Sequence, residues 1–583
     1  HPGYGFLAEN PLFVEACDKN GIVFIGPDAR AISLMGNKIE ARSFVEKLNV
    51  PMTEGITGNK EYLLKNASSM SFPILVKAAA GGGGKGMRIV NDIADLEDIL
   101  ESTSREAKNY FGDTTIYIEK YIEQPRHIEF QVLGDNFGNI VQLFERECTI
   151  QRRYQKIIEE SPSPTLNPEI RQKMGESALR IAREINYNSA GTIEFLVDSN
   201  LDYYFLEMNT RIQVEHPVTE MVTGVDLVEE QILVAAGNKL RLKQSELKQK
   251  GHAIECRIYA EDPANNFMPS PGTMSLYVPP EGNNIRIDSS IDSASTILSF
   301  FDPMISKMIV WEESRELAIE ACVSALQDYV VQGIRSNIEY LIGVLQHKAF
   351  QGNDLSTKFC DEHTLEILEQ AKKSKSEFFV PLIVFALFSL RVSGSDNKSN
   401  IWTDIGYWRS KRQLEFTVFD QKCSLIIVNN QGDHFEIQYR GEAFSVRIVE
   451  IIRGKIIFSI DGISHHANIS FDEKGIAWIS LKGNLFHMKR LDMLNMKENF
   501  ASQVQGDGVS NLFSPMPGKV IKVNVKTGDM VKRGTVMLVI EAMKMENNIT
   551  AEKDAIVEQV VVKEDDMVDA STQLVYLKLI DKE

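Results

Sequence analysis

The six cysteines of this 583-residue chain, at positions 17, 148, 256, 322, 360 and 423, are scattered and form no C-x-x-C pair. That excludes a disulfide framework and a zinc site built on paired thiols, and it reads as reduced thiols in a cytosol-like compartment. Long apolar runs are also lacking. The longest, FFVPLIVFALFSL at 378–390, has 13 residues, whereas a helix crossing a bilayer needs about 20, so no membrane partner is expected and the run reads as a buried helix. Positive charge is in deficit, with 63 lysines and arginines against 81 acidic residues and a net charge of −18. No basic excess is available to neutralise nucleic-acid phosphates, and an anionic substrate would need a local basic pocket. The chain opens on His1-Pro2-Gly3-Tyr4-Gly5 without an initiator methionine, so no targeting segment can be judged from this start.

With 43% apolar residues there is ample material for packed cores, and the length predicts several domains, since one core rarely exceeds about 250–300 residues. Near the C-terminus, KVIKVNVKTGDMVKRGTVMLVIE and IVEQVVVKEDDMVDASTQLVYLK carry period-2 strand patterns and superimpose at an offset of 37 residues, with Lys526 on Lys563, Asp529 on Asp566, Met530 on Met567 and Val531 on Val568. Lys544, between Met543 and Met545, stands at the join. Two such β units related by a pseudo-dyad predict a flattened barrel or sandwich with Lys544 on an exposed hairpin tip. The Ala542–Met545 motif, with Pro515–Gly518 upstream, resembles the biotinyl domain. A lipoyl domain shares the hammerhead fold but usually sets an acidic residue and an alanine beside its lysine. The resemblance implies covalent biotin on Lys544, attached by a biotin protein ligase.

Upstream, PILVKAAAGGGGKGMRIV at 73–90 sets a strand, Lys77 and a glycine run in sequence. Glycines let backbone N–H groups approach a phosphate closely, but no Ser or Thr follows Lys85, so this is not a Walker A loop. In GTIEFLVDSNLDYYFLEMNTRIQVEHPVTE at 191–220, Glu194 and Glu207 fall on two candidate strands of a hairpin with Asn209 just beyond, oxygen ligands of the type Mg²⁺ prefers. From HPGYGFLAEN (1–10) through EKYIEQPRHIEFQVLGD (119–135), RECTIQRRYQKIIEESPSP (146–164), GHAIECRIYAEDP (251–263) and FFDPMISKMIVW (300–311), the order of motifs resembles the ATP-grasp biotin carboxylases.

That resemblance implies an ATP site at Lys38, Lys77, Gly82, Gly83, Gly84, Glu119, Lys120, Ile122, His127 and Gln151, with Glu119 and Lys120 near the adenine. It implies Mg²⁺ or Mn²⁺ at Glu194, Glu207 and Asn209, and a bicarbonate cradle of Lys156, Arg211, Gln213 and Val214. Glu215 would be the base and Arg257 the residue facing the biotin ureido oxygen. Bicarbonate is an anion and a poor nucleophile, so cations must hold it while a carboxylate takes its proton; attack on the γ-phosphorus of ATP then gives carboxyphosphate. Two departures from the family pattern are Tyr154, where many members have His, and Ala294-Ser295 in place of a glycine-containing turn.

Between 366 and 500 a helix candidate near 378–392 precedes short β runs, LEFTVF, SLIIV, HFEIQY, FSVRIV, KIIFSI and AWISL, separated by turn signals. This predicts an antiparallel β-barrel with a helix. In acyl-CoA carboxylase α subunits a similar domain docks the β subunit, and IWTDIGYWR (401–409) resembles methylcrotonyl-type members. The segment is too short for a TIM barrel, which needs about 250 residues, so carboxyl transfer to an acyl-CoA is expected on a separate carboxyltransferase β subunit.

The expected fold is an α/β multidomain chain: 1–51, a remnant of the biotin carboxylase N-terminal Rossmann-like domain; 52–121, the ATP-grasp lid; 122–365, the ATP-grasp core and carboxylase C-terminal domain; 366–500, the docking domain; 501–510, a flexible linker; 511–583, the biotinyl domain. Family members place further residues before the matching His-Pro-Gly-Tyr-Gly. The chain is therefore expected to lack strands that would pack the helix candidate at 10–20 and the strand candidate IVFIG at 22–26, leaving its first 50 residues misfolded or inactive. The acyl-CoA stays open among 3-methylcrotonyl, slightly favoured, propionyl and acetyl. A carrier protein with a decayed ATP site and a carbamoyl-phosphate synthase-type ligase are the rival readings. Location is expected to be cytoplasmic, or the mitochondrial matrix in a eukaryote.

Overall fold

The computed structural model describes residues 1–79, 87–111, 114–392, 413–419, 421–491, 509–542, 545–569 and 572–579. The glycines Gly82–Gly84, the segment 401–409, most of the expected linker at 501–510, and Met543 and Lys544 lie outside the described residues.

Three helices open the chain: α1 (Pro11–Lys19), α2 (Ala29–Gly36) and α3 (Lys38–Glu46). Each starts on an Asn or Asp, at positions 10, 28 and 37, whose side chain accepts a first-turn N–H. The strand candidate at 22–26 is not a strand. No described strand runs beside it to complete a ladder, and Ile22 and Val23 are left exposed. Helices α2 and α3 do find packing partners. Ala31, Met35, Ala41 and Val45 share one buried cluster with Ile128, Phe130 and Phe195 of the central sheet.

A small antiparallel sheet follows, built from β1 (Gly55–Thr57), β2 (Ile74–Ala78), β3 (Met87–Val90) and β4 (Ile116–Lys120) in the order β1-β4-β2-β3, and covered by α4 (Lys60–Ala67) and α5 (Leu96–Phe111). The central sheet has eight strands: β5 (Arg126–Gly134), β6 (Ile140–Arg152), β7 (Gln155–Ser161), β8 (Ser189–Val197), β9 (Tyr203–Asn209), β10 (His252–Tyr259), β11 (Ile285–Ser289) and β12 (Met304–Glu312), ordered β11-β12-β10-β7-β6-β5-β8-β9. Helix α6 (Pro168–Glu184) packs on β5 and β6, while α7 (His216–Thr223) packs against β6, β7, β10 and β12. Strands β5 and β10 are therefore buried along almost their whole length rather than at alternate residues. Polar side chains on both faces are thus removed from water, and they must find partners inside.

The stretch 413–490 closes into an eight-stranded antiparallel barrel. Its strands alternate as a barrel wall must: Leu414, Phe416 and Val418 point inward, and the helix Phe379–Val392 joins the same interior cluster through six consecutive buried residues, Leu382–Leu387. The expected helix and six β runs are all present, along with two further strands, Ile463–Phe471 and Asn484–Arg490. Gln332 ties the barrel to the preceding domain, its amide donating to Asn468 O and Ser480 Oγ at 2.9 Å each and accepting from Ser470 Oγ at 2.6 Å.

The C-terminal domain is a pair of four-stranded antiparallel sheets. Strands Gly518–Val523 and Val536–Ala542 recur as Ala555–Val560 and Gln573–Leu579, at the 37-residue offset of the sequence repeat. The loops repeat as well: Lys526 N–H donates to Asp529 and Lys563 N–H to Asp566. Ala542 pairs with Met545 at the end of the ladder that brackets the lysine. A Cβ on Gly518 would lie 2.6 Å from Glu541 O, so the Pro-Met-Pro-Gly element needs glycine where it passes under that hairpin.

Candidate active site

Strand register assembles the site. Antiparallel pairing sets Glu207 (β9) opposite Glu194 (β8), Glu194 opposite Glu129 (β5) and Glu129 opposite Arg146 (β6). Directly opposed residues on neighbouring strands share a face, so four consecutive strands display a row of charge. Arg146 is fully buried and uses all five of its donors, on Glu129 (2.6 Å), Gln131 (2.7 Å), Thr219 (3.0 Å), Thr192 (3.1 Å) and Gln213 (2.7 Å).

Lys156 on β7 gives its three donors to Glu129 (2.5 Å), Glu215 (2.7 Å) and Glu194 (3.2 Å). Burial works against its charge, but the surrounding carboxylates outweigh it and hold the ammonium well above the usual lysine range. Glu215 stands at the residue before α7, but its side chain does not cap the helix. Its Oε1 takes Lys156, and its Oε2 takes Arg257 Nη2 at 2.8 Å. Burial pushes this carboxyl up, yet Lys156, Arg257 and Arg146 together hold it well below the ordinary carboxylate range. Arg257 Nε also reaches Glu159 at 2.6 Å.

At the β8–β9 edge, Glu194 Oε1 accepts from Gln213 (2.7 Å) and Asn209 (2.8 Å), while its Oε2 lies 2.9 Å from His127 Nε2, off the line of a hydrogen bond. Gln151 Nε2 donates to His127 Nδ1 at 2.8 Å. Burial and the nearby Glu194 charge push the Glu207 carboxyl up. Burial also lowers the Lys38 ammonium, against the opposing pull of Glu207. Arg211 joins Glu9 at 2.8 Å and Asn209 Oδ1 at 3.0 Å, and Val214 O accepts Lys307 Nζ at 2.8 Å.

Glu119 and Lys120 part company. The Glu119 carboxylate is buried against Lys77, Arg42 (3.0 Å) and Thr53 (3.1 Å), whereas Lys120 is exposed and Ile122 is buried nearby. Glu9, Arg42, Glu129, Arg146, Glu159, Glu255 and Lys307 were not singled out from sequence. The signal for Glu129 was present in His127-Ile128-Glu129-Phe130-Gln131, which sets three polar side chains on one face of a strand.

Domain models match along the chain: biotin carboxylase N-terminal domain at 1–32, the carbamoyl-phosphate synthase L chain ATP-binding domain at 37–243, biotin carboxylase C-terminal domain at 255–362 and biotin-requiring enzyme at 510–577. The biotin carboxylase domain of Hydrogenobacter thermophilus 2-oxoglutarate carboxylase, solved with MgADP, ADP and bicarbonate, is 45% identical, covers 62% of this chain and 81% of its own, and superimposes with a TM-score of 0.61. Fold and site together define an ATP-grasp biotin carboxylase joined to a biotinyl domain.

The rat mitochondrial methylcrotonoyl-CoA carboxylase subunit alpha is 38% identical over 589 residues, covering 97% of this chain and 81% of the rat protein. The human mitochondrial propionyl-CoA carboxylase alpha chain is 41% identical over 600 residues, covering 99% and 81%. The chain belongs to the biotin-dependent acyl-CoA carboxylase alpha subunits. It is the biotin carboxylase component, an ATP-dependent ligase that carboxylates biotin.

Proposed function

We propose that Glu215 is the general base that deprotonates bicarbonate held by Lys156, Arg211, Gln213 and the Val214 backbone, and that Arg257 stabilises the oxyanion of the biotin ureido group. The observation that supports this most directly is the grip of Lys156 and Arg257 on the two oxygens of Glu215, at 2.7 and 2.8 Å. An anion entering between Lys156 and Glu215 competes for the ammonium, weakens that hold and raises the basicity of the carboxylate as the substrate arrives. The deprotonated bicarbonate oxygen then attacks the γ-phosphorus of ATP, giving carboxyphosphate as the β–γ bond breaks and ADP leaves. Lys38, Lys77, Gly82, Gly83, Gly84, Glu119, Lys120, Ile122, His127 and Gln151 make up the nucleotide site.

Glu194, Glu207 and Asn209 would hold Mg²⁺ or Mn²⁺. The donor set fits a hard dication: two carboxylates opposed across paired strands, one of them pushed up by burial and by the other's charge. When bound, the ion supplies positive charge beside the nucleotide phosphates. Asn209 Oδ1 faces Arg211, and a turn of the amide would present it to the ion.

Lys544 is the biotinylated residue, and the chain divides at the boundaries given above. The carboxyl group passes to a separate carboxyltransferase β subunit and an acyl-CoA, with 3-methylcrotonyl-CoA ahead of propionyl-CoA and acetyl-CoA. The curated relatives carry mitochondrial names, which supports the matrix for a eukaryotic source. No helix among the described residues is long and apolar enough to cross a membrane. Lys544→Arg should abolish avidin binding while ATP cleavage stimulated by free biotin persists. Avidin binding retained by that variant would overturn the assignment, and assays of the complex with each acyl-CoA would decide the acceptor.

A further inference from the structure

On the Nε side of Arg257 lies a pair of carboxyls that the proposed chemistry does not use. Glu159 of β7 and Glu255 of β10 are register partners on adjacent antiparallel strands, which sets their Cβ atoms about 4.5–5.5 Å apart. Both are 0% exposed. Glu159 Oε1 accepts Arg257 Nε at 2.6 Å, but its Oε2 and both oxygens of Glu255 have no hydrogen-bond partner. On one side of Glu255 the surroundings are apolar. Ala253 precedes it on the same face, Ile309 is its partner on β12, and the two form one cluster with Val218 and Val222 of α7.

Two buried anions with three oxygens lacking donors would each bear a desolvation cost, and adjacent carboxyls resist ionising together. Burial pushes Glu255 well above the carboxylate range, Lys307 opposing. Burial also outweighs Arg257 at Glu159, raising it to about 7. The groups facing the pair are Arg257 from β10, Lys156 from β7, Lys307 from β12 and Glu215 from the start of α7. His216 of α7 is pushed down to about 3 by burial and stays neutral, as do the buried Cys148 of β6 and Tyr259 of β10.

We propose that Glu159 and Glu255 form a proton-sharing carboxyl dyad that positions Arg257 for the biotin ureido oxygen, an inference that rests on the reading of Arg257 given above. With one proton between them the dyad carries a single negative charge, which anchors the Nε edge of the guanidinium while Nη2 stays on Glu215. Loss of that proton would double the charge behind Arg257 and draw the guanidinium away from the substrate side.

Glu255→Gln mimics the neutral acid and cannot ionise. The wild-type-minus-E255Q infrared difference spectrum of the full chain at neutral pH should show the carbonyl stretch of a protonated carboxylic acid that the variant lacks, the bands of other protonated acids cancelling. ATP cleavage stimulated by free biotin should stay within about threefold of wild type in E255Q at pH 7, yet lose the decline that the wild type shows once the dyad gives up its last proton. Glu159→Gln should raise KM for free biotin about tenfold and change kcat less. Absence of the protonated band, or pH profiles of both variants that superimpose on the wild type after scaling, would overturn the dyad. If E159Q does not fold, E255Q carries the test through the band and the profile. A wild-type biotin-dependent rate in Arg257→Lys would instead refute the reading of Arg257, because the infrared band does not depend on it.

Discussion

Lys156 Nζ lies 2.7 Å from Glu215 Oε1, on the carboxylate oxygen that Arg257 leaves free. A carboxylate held this way is a weak base until something competes for its partners. Glu215→Gln keeps the shape and removes the basicity. Bicarbonate-dependent ATP cleavage should fall by about 10²–10⁴, with nucleotide affinity changed little. A fall smaller than tenfold in steady-state assays would remove Glu215 from the role of base.

Glu207 is the more exposed carboxyl of the β8–β9 pair and accepts no hydrogen bond from Lys156. Glu207→Gln should raise the Mg²⁺ concentration needed for half-maximal ATP cleavage by about tenfold or more, since one of two anionic ligands is lost. Titration of activity against Mg²⁺ at fixed ATP measures this, and an unchanged requirement would place the metal elsewhere.

Arg146 touches no proposed substrate, yet five side chains depend on its donors. Arg146→Met removes the donor to Oε1 of the buried Glu129, leaving it Lys156 on Oε2 alone, and leaves Gln131, Thr192, Thr219 and Gln213 short of a partner. The expected cost is about 3–5 kcal/mol, read as a lower urea midpoint for the carboxylase transition. A midpoint within error of wild type would show that the network is dispensable for stability.

Glu261 pairs with Arg152 at 2.6 Å, and burial raises its carboxyl to about 7. The folded state therefore keeps a proton that the unfolded chain releases near pH 4.5. Stability contributed by this group is present below that value, is lost as pH rises toward 7, and is level above it. The loss is of order 1–3 kcal/mol. Glu261→Gln does not titrate, so the difference in unfolding free energy between variant and wild type should shift by that amount between pH 5 and pH 8. An equal difference at both values would contradict the assignment.

The 37-residue repeat was legible because its strands, loop aspartates and hydrophobes all recur in register. The Glu194–Glu207 pair was legible because the two residues flank a short turn. The Arg146 network was not, since its partners lie 15 to 73 positions away in the chain and meet only through the strand order of the central sheet. Polar residues in β5 and β6 suggest a solvent face in an alternating strand, whereas cover on both sides of the sheet turns them inward. The strand Ile463–Phe471 escaped notice because His465 and His466 interrupt its alternation. The segment 22–26 has strand composition, but a strand needs a neighbour and composition does not supply one.

In the C-terminal domain, Val520 N–H bonds to Asp566 O and Val557 N–H to Asp529 O, each at 2.9 Å, so each half of the repeat clasps a loop of the other. Each sheet also takes two strands from either half. Neither half has a sheet of its own to fall back on, and pulling one away would unzip both layers at once. The domain is therefore expected to move as a single bead, carrying its group without bending within itself.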